Sequence, residues 1–328
     1  MRQQTGIGLA LSGGGVRGLA HVGVIKALVD ERIPIHFVCG TSVGALIGAA
    51  FAACSDVKDF DLRVSEIIRH NDKQFRSLSA LSPLLAGPQS EDLYARISQR
   101  FWRQLLFNLL FFRKALITLD EAMDFVSLFV PDIDIRETLL PCAITAVDLV
   151  SGKRVVLTEG PLIKAVAASS AIPGIMAPVP WRDRLLIDGA VLDPVPAETA
   201  RCFGKPPVIA VDVYSSPRTQ TGLQDGIELL YRTLEVMSLQ IAEWQSQGAD
   251  LLLRPVDDKF SCGEERSIQE WIDCGKIAVQ ELLGAIKNLL DKPVLGSLPR
   301  TAKKFRHDGA RRSHRPNFPL SSIQNRSA

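Results

Sequence analysis

Ser42 stands in the pentapeptide Gly40-Thr41-Ser42-Val43-Gly44, between an apolar run, Ile35 to Cys39, and a small-residue run, Val43 to Ala53. A serine on a sharp strand-to-helix turn has its hydroxyl pushed out at the end of a sheet. The flanking Gly40 and Gly44 let two backbones approach without a Cβ between them. A helix that starts at the serine leaves free N–H groups and a positive dipole end there, which favours negative charge. These are the needs of a serine nucleophile in acyl transfer. The same five residues also read as a tight βα turn with no chemistry.

A second glycine cluster lies upstream. Ile7 to Leu11 reads as a buried strand, Ser12-Gly13-Gly14-Gly15-Val16-Arg17-Gly18 follows, and Leu19 to Val29 reads as a helix with Leu19, Val22, Ile25 and Leu28 on one stripe. Strand, glycine loop and helix make an anion site from backbone N–H groups. Gly13, Gly15 and Gly18 also fit G-x-G-x-x-G. A dinucleotide site would then need an acidic residue at the end of the next strand. That strand ends in Cys39-Gly40-Thr41-Ser42, and Asp30 and Glu31 precede it. A loop presenting N–H donors to an oxyanion beside Ser42 fits better.

A serine nucleophile needs a base. The histidines are His21, His36, His70, His307 and His314, and the last two lie in a polar basic tail. No histidine in a foldable segment follows the plausible acids, so the order Ser, Asp, His has no third member. His21 is the best placed of the five, but it also reads as a buried helix residue bonded to nearby backbone. A carboxylate acting directly is the other route. Leu185-Leu186-Ile187 reads as a strand ending in Asp188-Gly189-Ala190. Asp188 could take the serine proton if its strand lies beside that of Ser42. Asp-Gly is equally a plain turn.

Taken in order, Gly13-Gly14-Gly15-Val16-Arg17-Gly18, Gly40-Thr41-Ser42-Val43-Gly44 and Asp188-Gly189-Ala190 resemble the patatin-like phospholipases. Ala168-Ser169-Ser170-Ala171-Ile172-Pro173-Gly174 is similar to the family's Ala-Ser-…-Pro stretch. The resemblance covers roughly residues 6–215. It implies a three-layer α/β/α fold with a mainly parallel central sheet, and hydrolysis of lipid acyl esters without metal or other cofactor. It implies Ser42 as nucleophile, Asp188 as base, and the N–H groups of Gly13, Gly14 and Gly15 as the oxyanion hole. The family's loop arginine matches Arg17, and Gly18, Gly40, Gly44 and Gly189 support the motifs. Ala190 stands where many members have glycine. The rival expectation is a regulator or adaptor on the same fold, acting through protein partners.

The elements that must position these residues alternate between strand and helix. Strands are expected at 139–147, Val155 to Leu157, Pro207 to Val213 and Leu251 to Leu253. Helices are expected at Leu162 to Ser169, Asp193 to Phe203, Gly226 to Gly248 and Ile268 to Leu290. Such alternation argues for a mainly parallel sheet covered on both faces. The expected division is a catalytic domain over 6–215, a helical extension over 216–291 packed on it, and a basic tail over 292–328. Residues 55–134 break the pattern. Leu105 to Phe112 is apolar around nearly a whole helical wheel and is flanked by Arg100, Arg103, Arg113 and Lys114. It reads either as a core helix or as a lid that meets lipid.

A net charge of +2 on 328 residues hides an asymmetry. Residues 300–328 hold eight Lys or Arg against one acid, which leaves a mildly acidic body. The tail reads as an inert solvated segment or as an attraction to anionic membrane. No nucleic-acid partner is expected. Six cysteines without C-x-x-C spacing read as reduced thiols. No leader-like segment and no uncharged apolar run of about 20 residues is visible. The expectation is a cytoplasmic protein, peripheral at a membrane surface through its tail.

Overall fold

The computed structural model describes residues 6–54, 56–70, 115–203, 206–214, 226–256 and 267–291. The apolar segment 105–112, its flanking cations and the basic tail lie outside the described residues.

Among the described residues eight strands form one mixed sheet: β1 (Ile7–Leu11), β2 (Ile35–Thr41), β3 (Cys142–Asp148), β4 (Lys153–Leu157), β5 (Val179–Trp181), β6 (Arg184–Asp188), β7 (Val208–Val211) and β8 (Leu251–Leu253). β2, β1, β7 and β8 run parallel to one another, and β3 joins them parallel to β2. β4 and β6 pair antiparallel with β3, and β5 with β6. The parallel strands β1 and β7 are buried along their whole length, as strands covered on both faces must be.

Nine α-helices cover the sheet: α1 (Leu19–Asp30), α2 (Val43–Ala53), α3 (Val57–His70), α4 (Leu119–Ser127), α5 (Leu162–Ser169), α6 (Ala197–Arg201), α7 (Gly226–Ser246), α8 (Ile268–Glu281) and α9 (Leu283–Asp291). This count holds among the described residues. Alternation along β1 divides the core. Leu9 and Leu11 enter a large cluster with α1, α2, α5 and α8, while Ala10 enters a smaller one with Val195, Ala197, Ala200 and Ala242 on the opposite face. Helix, sheet and helix are thus three layers.

The structure departs from the sequence-based elements for local reasons. The helix expected over Asp193 to Phe203 starts only at Ala197, because Pro194 lies before it and Pro196 caps it. The helix expected over Ile268 to Leu290 breaks at Leu282, just before Gly284, into α8 and α9. α4, within the irregular 55–134 stretch, begins on a capping box formed by Thr118 and Glu121.

Candidate active site

The register of β3 explains how residues 146 apart in sequence meet. Residues 144–148 pair with β4 along one edge of β3. Along the other edge, Thr145 faces Thr41 of β2, and the next residue, Ala146, faces Asp188 of β6. β2 runs parallel to β3 and β6 antiparallel, so the two strands approach head-on along a single edge. Both end where they meet, one at Thr41 and the other at Asp188. Ser42 and Asp188 are therefore brought together by strand pairing, and the Ser42 hydroxyl donates to Asp188 Oδ2 at 2.9 Å.

Ser42 adopts φ 54° and ψ −121°, a region that L residues avoid. Such a conformation costs about 1–3 kcal/mol and persists only where its surroundings enforce it. Here the enforcement is visible. The Ser42 N–H donates to Ser169 Oγ at 2.8 Å. The Ser42 carbonyl accepts from Leu46 N–H at 3.0 Å. Thr41 Oγ1 donates to the Asp193 carbonyl at 2.7 Å and sits 2.6 Å from Thr145 Oγ1. The turn also demands small neighbours. A Cβ on Gly44 would lie 2.3 Å from the Leu11 carbonyl oxygen, and one on Gly40 would lie 2.4 Å from that of Gly44. Gly18 lies against Val43, and Gly189 against the Thr145 carbonyl, with as little room.

Asp188 is 4 % exposed and Ser42 8 %. The carboxylate accepts from Ala190 N–H at Oδ1, 2.8 Å, and from Ser42 at Oδ2. Its own N–H donates to the Ala171 carbonyl at 3.0 Å. Burial pushes the Asp188 carboxyl up from 3.8 to about 6, with the two donated hydrogen bonds opposing the shift. A carboxylate poised there is ionised at neutral pH and basic enough to accept a proton in passing.

The glycine loop faces this pair. Gly14 has φ 142° and Gly15 φ 60°, conformations that favour glycine. Among the described residues, neither N–H has an acceptor. Gly13 differs: its N–H donates to the Pro194 carbonyl at 3.0 Å. Of the three glycines expected to present donors, Gly13 therefore has its N–H engaged, and its lack of a side chain supplies clearance. A Cβ there would lie 3.6 Å from Ser42 Cβ and 2.8 Å from Tyr214 Oη. Arg17 folds back, its Nε donating to the Gly14 carbonyl at 3.3 Å, and so braces the loop.

His21 is fully buried, and its Nε2 donates to the Ser12 carbonyl at 2.9 Å. Burial lowers it to about 4, so it is neutral at working pH and committed to the loop's backbone. Two further groups escaped sequence reasoning. Asp193, fully buried, accepts from Thr199 Oγ1 at 2.6 Å and pairs with Arg154 at 3.3 Å, anchoring the chain that receives Thr41. Tyr214 lies beyond β7 at the edge of the glycine loop. No pattern in the sequence marks either. Among the described residues, no group of three or more His, Cys, Asp or Glu could hold a metal.

The site is thus an elbow serine hydrogen-bonded straight to a buried carboxylate at the strand ends of an α/β sheet. Comparison with known sequences gives the family. A model of the patatin-like phospholipase family matches residues 9–201, and the chain belongs to that family. It is 30% identical over 190 residues to an uncharacterized NTE family protein of Mycobacterium bovis, covering 58% of this chain and 44% of that protein. It is also 30% identical over 216 residues to patatin-like phospholipase domain-containing protein 7 of Rattus norvegicus, covering 65% and 14%. The chain thus spans less than half the length of these relatives. Among solved structures it is similar to VipD from Legionella pneumophila, with a TM-score of 0.44 and 15% identity, covering 86% of this chain and 67% of that one.

Proposed function

We propose that the protein hydrolyses acyl esters of lipids with Ser42 as nucleophile and Asp188 as base. The observation that carries this reading is the 2.9 Å hydrogen bond from Ser42 to a carboxylate raised to about 6. In the first step Ser42 Oγ attacks the ester carbonyl carbon and its proton passes to Asp188. The carbonyl oxygen becomes an oxyanion, and the N–H groups of Gly14 and Gly15 stabilise it. Collapse breaks the bond to the leaving oxygen, which takes the proton from Asp188 and departs as an alcohol. Water then gives a proton to Asp188 and attacks the acyl-serine. Collapse of that second intermediate returns the proton to Ser42 and frees the fatty acid.

Membership of the patatin-like phospholipases supports a lipid substrate, as do the apolar residues around the base. Ile172 follows the carbonyl that holds the Asp188 N–H, and Val191 and Leu192 follow the Asp188 turn. Each is more than a third exposed. The eight cations of residues 300–328 extend the proposal to attraction toward anionic membrane. Among the described residues no helix is long and apolar enough to cross a membrane.

The test is Ser42→Ala assayed on a short-chain p-nitrophenyl ester. Loss of a nucleophile costs up to roughly a million-fold in kcat. Turnover should vanish while the circular-dichroism spectrum and melting temperature stay near those of the parent. Substantial turnover by pure, folded Ser42→Ala protein would exclude the mechanism, whereas a folded parent without turnover would favour an adaptor role.

A further inference from the structure

Tyr214 is placed by two anchors that converge on the glycine loop. Its N–H donates to Asp212 Oδ1 at 3.0 Å, and Arg254 holds Asp212 Oδ2 at 3.3 Å. The preceding residue, Val213, donates its N–H to Ser12 Oγ at 3.0 Å, next to Gly13. The phenol is thereby turned toward the dyad. The point where a Gly13 Cβ would sit is 2.8 Å from Tyr214 Oη, 3.4 Å from Ala190 Cβ and 3.6 Å from Ser42 Cβ. Glycine at 13 keeps that point open between nucleophile and phenol.

We propose that Tyr214 is a further catalytic residue, whose hydroxyl donates a hydrogen bond to the leaving-group oxygen of the ester held at Ser42. The proposal rests on the hydrolase reading above. Its geometry separates it from the oxyanion donors. The N–H groups of Gly14 and Gly15 are backbone donors of the loop, whereas Tyr214 Oη is a side-chain donor at a point shared with Ala190 Cβ and Ser42 Cβ, and the N–H of Ala190 holds Asp188. The leaving oxygen must lie on that side, because it collects the proton that Asp188 took from Ser42. As the tetrahedral intermediate collapses, the carbon–oxygen bond breaks and its electron pair goes to the leaving oxygen. The Asp188 proton follows. Tyr214 keeps its own proton and lowers the energy of the charge in transit. Burial and the charge of Asp188 raise the phenol above its ordinary value of 10, so it remains a donor at working pH.

The experiment compares Tyr214→Phe with the parent full-length protein on butyrate esters of p-nitrophenol, phenol and ethanol. kcat/KM is the readout because it reports acylation, in which the leaving group departs. A p-nitrophenolate ion needs little help, while an alkoxide needs much. One lost hydrogen bond to a developing charge should lower kcat/KM about tenfold or more on the ethyl ester, and less than about threefold on the p-nitrophenyl ester. The dependence of rate on leaving-group pKa should steepen accordingly. The ratio between esters is independent of the fraction of protein that folds. An equal loss on all three esters, or none on the ethyl ester, overturns the proposal. Parent activity that survives Ser42→Ala instead overturns the hydrolase reading, and this proposal with it.

Discussion

At Asp188, stability and chemistry pull in opposite directions. Its carboxyl sits at about 6 in the folded protein against an ordinary 3.8, so the native state binds a proton more tightly than the unfolded chain. Its contribution is therefore most favourable below 3.8, and it is lost as pH rises to 6. The full gap is worth about 3 kcal/mol. Asp188→Asn should raise the melting temperature at pH 8 relative to the parent and close that gap at pH 4, while hydrolysis disappears. A variant no more stable at pH 8 would show that burial does not strain this carboxylate. In the parent, kcat/KM should rise with pH through a single ionisation near 6, since the base works only when deprotonated. Ser169 acts on Ser42 from the other side. Ser169→Ala leaves the buried Ser42 N–H without its acceptor and should cost about 1–3 kcal/mol in denaturant unfolding, with a lower kcat. Ser42 and Asp188 were legible in the sequence because each ends an apolar run beside glycine. Ser169 was legible only as part of a motif, since its partner lies 127 positions away. Tyr214 was not legible at all, since its orientation depends on Asp212 and Ser12.

Between elements, the decisive event is the head-on approach of β2 and β6 along β3. Their apolar runs predict strands, but no periodicity states that one runs parallel to β3 and the other antiparallel. Alternation in sequence favoured a mainly parallel sheet, and β4 and β6 run against the other strands because the short turns before them, at 149–152 and 182–183, leave no room for a crossover helix. Helix ends were misjudged where prolines or a glycine stop propagation, as at Ala197 and Leu282. The contact of α2 with β1 is a close-packing demand at this scale. Gly44→Ala would drive a Cβ into the Leu11 and Ser12 carbonyl oxygens at 2.3 and 2.5 Å, and backbone must move. The expected outcome is a loss of several kcal/mol, on the scale of severe core overpacking, together with loss of activity. Wild-type chemical stability for Gly44→Ala would contradict the packing described.

For the whole molecule, the separation of charge sets the remaining prediction. Residues 300–328 carry eight Lys or Arg and one acid, and membrane attraction is worth about 1 kcal/mol per cation near an anionic surface. Deleting them should leave hydrolysis of a soluble ester unchanged and reduce sedimentation with anionic liposomes at low salt. Neutral liposomes should be indifferent. Equal sedimentation of both proteins would remove the membrane role. The central claim is that Ser42, activated by Asp188 alone, is the nucleophile. The most direct measurement is peptide mass spectrometry of the protein after a fluorophosphonate probe, run on the parent and on Asp188→Asn. The account predicts one adduct, on the peptide containing Ser42, formed far more slowly in Asp188→Asn. An adduct on another residue, none on the folded parent, or equal labelling of both proteins would contradict it.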